Sequence, residues 1–179
     1  MFLQGEMFRA AATLGGLEIQ LVYYRGRSEC RASRWLVEAD ALLALMRKVA
    51  CAAGPTQIER VLRHALAEAG AGVDAVVFIG DCMEENIDRL AAAAGVLGLA
   101  GVPVFLFHEG LDPIADGAFR LVARITWGAC CRFDAGSPDE LRALLTAVVV
   151  YAAGGQKALR DYWHQVGGPV LRLTRQMQS

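Results

Sequence analysis

Two short stretches hold most of the residues able to do chemistry. Gly54-Pro55-Thr56-Gln57-Ile58 places a hydroxyl where a helix is expected to begin. Such a hydroxyl can cap the helix or offer a lone pair to a metal. Phe78-Ile79-Gly80-Asp81-Cys82-Met83-Glu84-Glu85 places Asp81 directly after an apolar run. A carboxylate there can hold a hard cation, directly or through water, or simply cap a loop. A third combination is Cys82 with His108 and Asp81. Thiol, imidazole and carboxylate are the types needed for a nucleophile, its base and an orienting group. The plainer reading is a buried thiol and a loop histidine, since nothing marks an oxyanion hole. Cys130-Cys131 reads as a strand coincidence rather than a redox pair, because adjacent strand residues point to opposite faces. His64 and His164 have no evident partner and read as surface or packing residues. Arg25, Arg27, Arg31 and Arg34 are interspersed with Glu18, Glu29 and Glu38, which predicts a solvated edge and not a nucleic-acid patch.

The elements that must position these groups follow from periodicity. Phe2 to Leu14 predicts a helix ended by Gly15-Gly16. Leu17 to Tyr24 and the more polar Glu29 to Trp35 predict two strands, joined by an antiparallel turn at Arg25-Gly26-Arg27-Ser28. Val37 to Val49 predicts a helix, as does Thr56 to Ala69, where Thr56 and Glu59 have the spacing of a capping box. Ala75 to Gly80 and Val102 to Phe107 are continuously apolar and predict buried strands. Helices are expected over Asn86 to Leu97, Ile114 to Trp127 and Ser137 to Ala152, with a short strand at Ala129 to Phe133. A short extra helix and a tail around Val170 to Leu173 should follow Gly154-Gly155. This alternation predicts an α/β fold: a doubly wound, mostly parallel sheet flanked by helices, with one short antiparallel edge strand. Residues 1–153 would form the domain and 154–179 a C-terminal tail packed on it or trailing it. Ligands of such sheets sit beyond the carboxyl ends of the strands, here at Arg25, Asp81, Cys82, His108, Glu109, Asp134 and the loop around Thr56.

The order of these motifs resembles the von Willebrand factor type A (VWA) domain. A Gly-x-Thr-x-Ile loop opens a helix, and a buried strand then ends in Gly-Asp with acidic residues after it. Val102-Pro103-Val104-Phe105 follows as the next strand, and Gly128 to Asp134 precedes the last helix. The resemblance runs from about Phe2 to Ala152. It implies a metal-ion-dependent adhesion site for Mg²⁺ or Mn²⁺, with Thr56 matching the threonine of the second segment and Asp81 the aspartate of the third. The first segment, Asp-x-Ser-x-Ser on a central first strand, has no counterpart: the four serines lie at 28, 33, 137 and 179. Two ligands leave most of an octahedral shell to water, so weak Mg²⁺ binding or none is expected.

Composition narrows the function classes. The chain has 179 residues, 18 basic and 19 acidic, for a net charge of -1, and is 55% hydrophobic. That is a single globular domain without a polyanion-binding charge balance. Five cysteines, at 30, 51, 82, 130 and 131, with no Cys-x-x-Cys spacing predict reduced thiols in a cytoplasm. Leu90 to Phe107 is 18 residues without charge, but Gly95, Gly98, Gly101 and Pro103 make it a helix end, a loop and a strand, not a membrane span. No phosphate loop, dinucleotide fingerprint, His-Glu-x-x-His or Gly-x-Ser-x-Gly occurs.

The resulting expectation is a cytoplasmic VWA-type protein-interaction module, not an enzyme, with an incomplete adhesion site. It would engage a protein partner, and neither nucleic acid nor membrane. The alternatives are a small Cys82/His108 hydrolase or transferase, and an inactive fragment of a longer VWA protein that starts late. In the family the absent first strand lies between the strands matching Leu17–Tyr24 and Ala75–Gly80. The remaining edges should pair directly, or another copy should supply a strand and make a homodimer; the tail is a poor substitute because of Pro169 and Arg172.

Overall fold

The computed structural model describes residues 17–49, 54–134 and 136–177. The expected helix over Phe2 to Leu14, and Cys51, lie outside them. The described fold is α/β. Strands β1 (Val22–Arg25) and β2 (Glu29–Ala32) precede helices α1 (Ala39–Lys48) and α2 (Ile58–Glu68). Then come β3 (Val76–Gly80), α3 (Ile87–Leu99), β4 (Val104–Glu109), α4 (Pro113–Ile125), β5 (Ala129–Phe133), α5 (Pro138–Val166) and α6 (Pro169–Gln176). Strands β3, β4 and β5 form a parallel sheet in that order, and β1 and β2 form a separate antiparallel pair.

The parallel sheet is apolar on both faces because both faces are covered. Phe78, Val104, Leu106 and Cys130 pack under α2, α3 and α4, against Ile58, Leu62, Leu90, Leu97, Phe119 and Val122. Phe105, Phe107, Ala129, Cys131 and Phe133 pack on the other side against Leu144, Leu159, Val170 and Leu173 of α5 and α6. Cys130 and Cys131 thus enter opposite cores, as strand alternation requires. Close approaches hold the layers together: a Cβ on Gly128 would lie 1.9 Å from the Val104 carbonyl oxygen.

The helix starts follow their caps. Asn86 accepts the Arg89 N–H at 3.0 Å and Asp112 accepts the Ile114 N–H at 2.9 Å. The run α5 is two helices joined at Gly155, whose φ of 66° and ψ of -161° are non-helical, so the chain breaks at Gly154-Gly155 and resumes as a further helix to Val166, as expected; glycine adopts that conformation without a Cβ penalty. The segment around Val170 to Leu173 is the helix α6, with Pro169 in its first turn, where a missing N–H costs no bond. Both Val170 and Leu173 are fully buried against the sheet.

Of the two outcomes expected for these edges, direct pairing is not found. β1 and β3 do not close up and pair. The β1–β2 turn is pinned instead to α2, where Gln57 Nε2 donates to the Gly26 carbonyl at 3.1 Å and Arg60 donates to the Ser28 carbonyl at 2.5 Å. Closing the gap would break these bonds and drive together the helices on both faces. A cavity of about 490 Å³ lies between the two strands.

Candidate functional site

The carboxyl ends of β1, β3 and β4 meet around the loop that leads into α2. Gly54 opens that loop, and a Cβ there would fall 2.1 Å from the Gly26 carbonyl oxygen, so only glycine lets the loop pass the β1–β2 turn. Thr56 follows, buried. It does not cap α2, and the box with Glu59 does not form: Gln57 occupies the cap position, and Glu59 binds Arg63 at 2.8 Å and Arg89 at 3.0 Å. Thr56 bonds instead across to the loop after β3. Its hydroxyl accepts the Glu84 N–H at 3.1 Å, and its own N–H donates to Glu84 Oε2 at 3.3 Å.

The next residue of that loop completes the junction. Glu85 accepts the N–H groups of Ile58 (2.5 Å) and Glu59 (2.9 Å), two of the orphan donors at the start of α2. A carboxylate at a helix N-terminus also interacts favourably with the helix dipole. The acidic pair after Asp81 therefore ties two loops together. Sequence reasoning read Glu59 as the partner because it lies three residues from Thr56; the actual partners lie 28 and 27 residues away, where no local pattern reaches.

Thr56 is thus held three residues past Asp81, at the same end of the sheet. Asp81 is exposed, and its carboxylate accepts a hydrogen bond from the Cys82 thiol. Among the described residues no three Asp, Glu, His or Cys side chains converge on a point able to hold a metal. Thr56 gives one lone pair to Glu84, and Glu84 and Glu85 are engaged as caps. The donor set present does not fit a resident divalent cation, which takes six or more oxygens.

The electrostatics of the edge are negative. Burial raises the Cys82 thiol to about 11, helped by the hydrogen bond to Asp81 and by the charges of Asp81, Glu84 and Asp112. Burial likewise raises Tyr24, at the end of β1, to about 12, with Cys82, Glu85, Asp81 and Glu84 adding to the shift. The β4–α4 loop that carries Asp112 also presents Leu111 (82% exposed) and Ile114 (66% exposed).

The structure does not assemble Cys82 and His108 into a dyad. The His108 ring is fully buried edge-on to Phe119, with centroids 5.4 Å apart, and neither ring nitrogen has a hydrogen-bond partner. Its nearest acid is Asp116 at 3.7 Å, not Asp81. Asp116 is itself held below the ordinary carboxylate range by hydrogen bonds from Arg120 and Arg132. A thiol kept protonated, and hydrogen-bonded to a carboxylate rather than to a histidine, is a poor nucleophile. The other edge residues have structural partners: Arg25 pairs with Glu29 at 2.6 Å, and Asp134 Oδ1 accepts the Gly136 N–H at 2.9 Å. Glu109 is exposed. Two histidines read as unpartnered do have contacts. His64 Nε2 lies 2.6 Å from Gln20 Oε1, and His164 stacks on Trp163.

The sequence matches no protein-family model and no curated protein. Among the described residues no helix is long and apolar enough to cross a membrane.

Proposed function

We propose that this chain is a protein-interaction module of the VWA type, with an incomplete adhesion site, that works in the cytoplasm through the carboxyl edge of its sheet. The observation that carries the reading is the surface there. Exposed Leu111 and Ile114 flank Asp112, whose charge reaches Cys82 beside Asp81. Apolar side chains rimmed by polar groups mark protein contact surfaces. The edge recognises a partner by apolar contact and negative charge, a combination suited to a segment carrying Lys or Arg beside aliphatic residues. Thr56 and Glu84 hold the two loops in register and need not touch the partner.

Photo-crosslinking tests this. A photoreactive residue at Leu111 should give a discrete crosslinked protein in cells, and Asp112→Arg in the same chain should abolish it. The same residue at Leu99, exposed at the opposite end of the sheet, should give none. Absence of a product from 111, or equal products from 111 and 99, refutes the reading.

A further inference from the structure

The outer side of β5 is an edge of the parallel sheet, since the strand order is β3-β4-β5. Cys130 lies opposite Leu106 of β4 but turns its own peptide groups outward, where the Gln176 side chain of α6 meets both. Gln176 Oε1 accepts the Cys130 N–H at 2.9 Å, and Gln176 Nε2 donates to the Cys130 carbonyl at 2.9 Å. A residue of an added strand would use the same two groups of Cys130, and a side-chain amide carries the donor and acceptor of a peptide. Nε2 also lies 3.2 Å from the Arg172 carbonyl and 3.9 Å from Cys131 Sγ. The rest of α6 is anchored without Gln176. Val170 and Leu173 are fully buried in the core that Cys131 and Phe133 of β5 share, and Arg172 pairs with Glu140. The link from α5 to α6 runs through Gly167 (φ 64°) and Gly168 (φ 59°), which can turn without a Cβ clash.

We propose that Gln176 guards this edge by holding the place of a strand, and that the strand it excludes is β5 of a second copy of this chain. An edge strand offers N–H and C=O groups that template pairing with another chain, and proteins suppress this by covering the edge. Alternation along β5 turns the groups of Arg132 to the same side as those of Cys130. A two-fold axis at Cys131 then sets Cys130 of one copy opposite Arg132 of an antiparallel second copy, and the reverse. Both outward pairs of the strand are met by an identical strand, as an isologous contact requires. This self-complementarity is what selects a second copy over an unrelated segment. A partner strand at the usual spacing of about 4.8 Å would stand where the Gln176 amide now lies, so the two exclude each other. In the parent chain the amide is tethered beside Cys130, and its high effective concentration wins over a second copy. The inference uses the outer edge of β5 and is independent of the carboxyl-edge reading around Leu111.

The test compares the full chain with Gln176→Ala, Gln176→Asn and Gln176→Glu. Sedimentation equilibrium at submillimolar concentration should find the parent monomeric. The Ala variant lacks the amide and the Asn variant carries it one methylene short of the edge. Both should dimerise, with a dissociation constant at least about tenfold below the parent's. The Asn variant carries the test alone if the Ala variant does not fold. Gln176→Glu keeps the reach but sets a carboxylate on the edge, where charge opposes strand pairing, so it should stay monomeric. In dilute solution, amide exchange at Cys130 should be at least about tenfold faster in the Ala and Asn variants than in the parent. As dimer forms it should slow again, together with exchange at Arg132. Ala and Asn variants that stay monomeric would overturn the proposal and leave Gln176 a mere anchor of α6. Dimers that do not protect Cys130 and Arg132 would place the contact elsewhere and overturn it too. So would a parent already dimeric through β5. Dimerisation of the Glu variant as strong as that of the Ala variant would mean that a loosened α6, not an uncovered edge, drives association, and would also overturn it.

Discussion

Replacing Glu85 probes the junction on which the whole carboxyl edge depends. Its two carboxylate oxygens accept the N–H groups of Ile58 and Glu59, at 2.5 and 2.9 Å. Ile58 is fully buried and Glu59 is 8% exposed, so water cannot readily replace the carboxylate. Loss of a helix cap costs about 0.5–2 kcal/mol. Loss of the charge at the helix N-terminus adds about 0.3–1 kcal/mol. Glu85→Ala should therefore lower stability by about 1–3 kcal/mol. Glu85→Gln keeps one acceptor oxygen without the charge and should lose roughly half as much. Urea unfolding reads this directly: with a slope of about 2 kcal/mol per molar, the Ala variant's midpoint falls by about 0.5–1.5 M. The slope itself should not change. Amide exchange at Ile58 and Glu59 should accelerate in both variants. A Glu85→Ala midpoint within about 0.2 M of the parent would refute the reasoning, as would a Gln variant less stable than the Ala variant.

Three more outcomes follow from the same geometry. The Cys82 thiol, raised to about 11 from an ordinary 9.0, carries about a hundredfold less thiolate at pH 8 than an unperturbed thiol. Iodoacetamide should alkylate it correspondingly slowly in the folded chain, and labelling at the rate of a free cysteine peptide would contradict the burial argument. Asp116 has its pKa depressed by Arg120 and Arg132, so its stabilising contribution is fully present above its ordinary value of 3.8 and is lost as pH falls through the lower folded value. Asp116→Asn should therefore be less stable than the parent at pH 7, the difference should shrink below about pH 4, and a difference that grows on acidification would reverse the assignment. His108→Leu removes a fully buried imidazole with two unpartnered nitrogens. An unsatisfied buried polar group costs about 1–3 kcal/mol, so the variant should be more stable by about 1 kcal/mol in urea unfolding; a loss of more than about 1 kcal/mol would mean that the ring makes a bond the geometry does not show.

Much of the fold is legible in the sequence because strands and helices announce themselves locally. The apolar runs at Ala75 to Gly80 and Val102 to Phe107 became β3 and β4, shifted by one or two residues. Gly26 made the turn between β1 and β2. Continuous apolarity was enough to place helices on both faces, since a strand with one wet face alternates. Gly154-Gly155 breaks the helix where its glycines suggest, and a further helix follows. The misread segment is the tail around Val170 to Leu173, which is a helix because Val170 and Leu173 pack into the same core as Leu144, a contact no local pattern announces.

The candidate site divides along the same line. Sequence alone determined that Thr56 lies where a loop passes into a helix, that Asp81 follows a buried strand, and that both belong at the carboxyl end of the sheet, because strand direction and the βα alternation dictate where such loops go. Only the tertiary structure decided what these residues do there. It turned Thr56 toward Glu84, made Glu85 the cap of α2, buried His108 away from Cys82, and left β1 and β3 apart. Each of these is a contact, or a missing contact, between segments remote in the chain. Local propensity carries no information about such pairs; hydrogen-bond satisfaction and packing of the assembled layers select them.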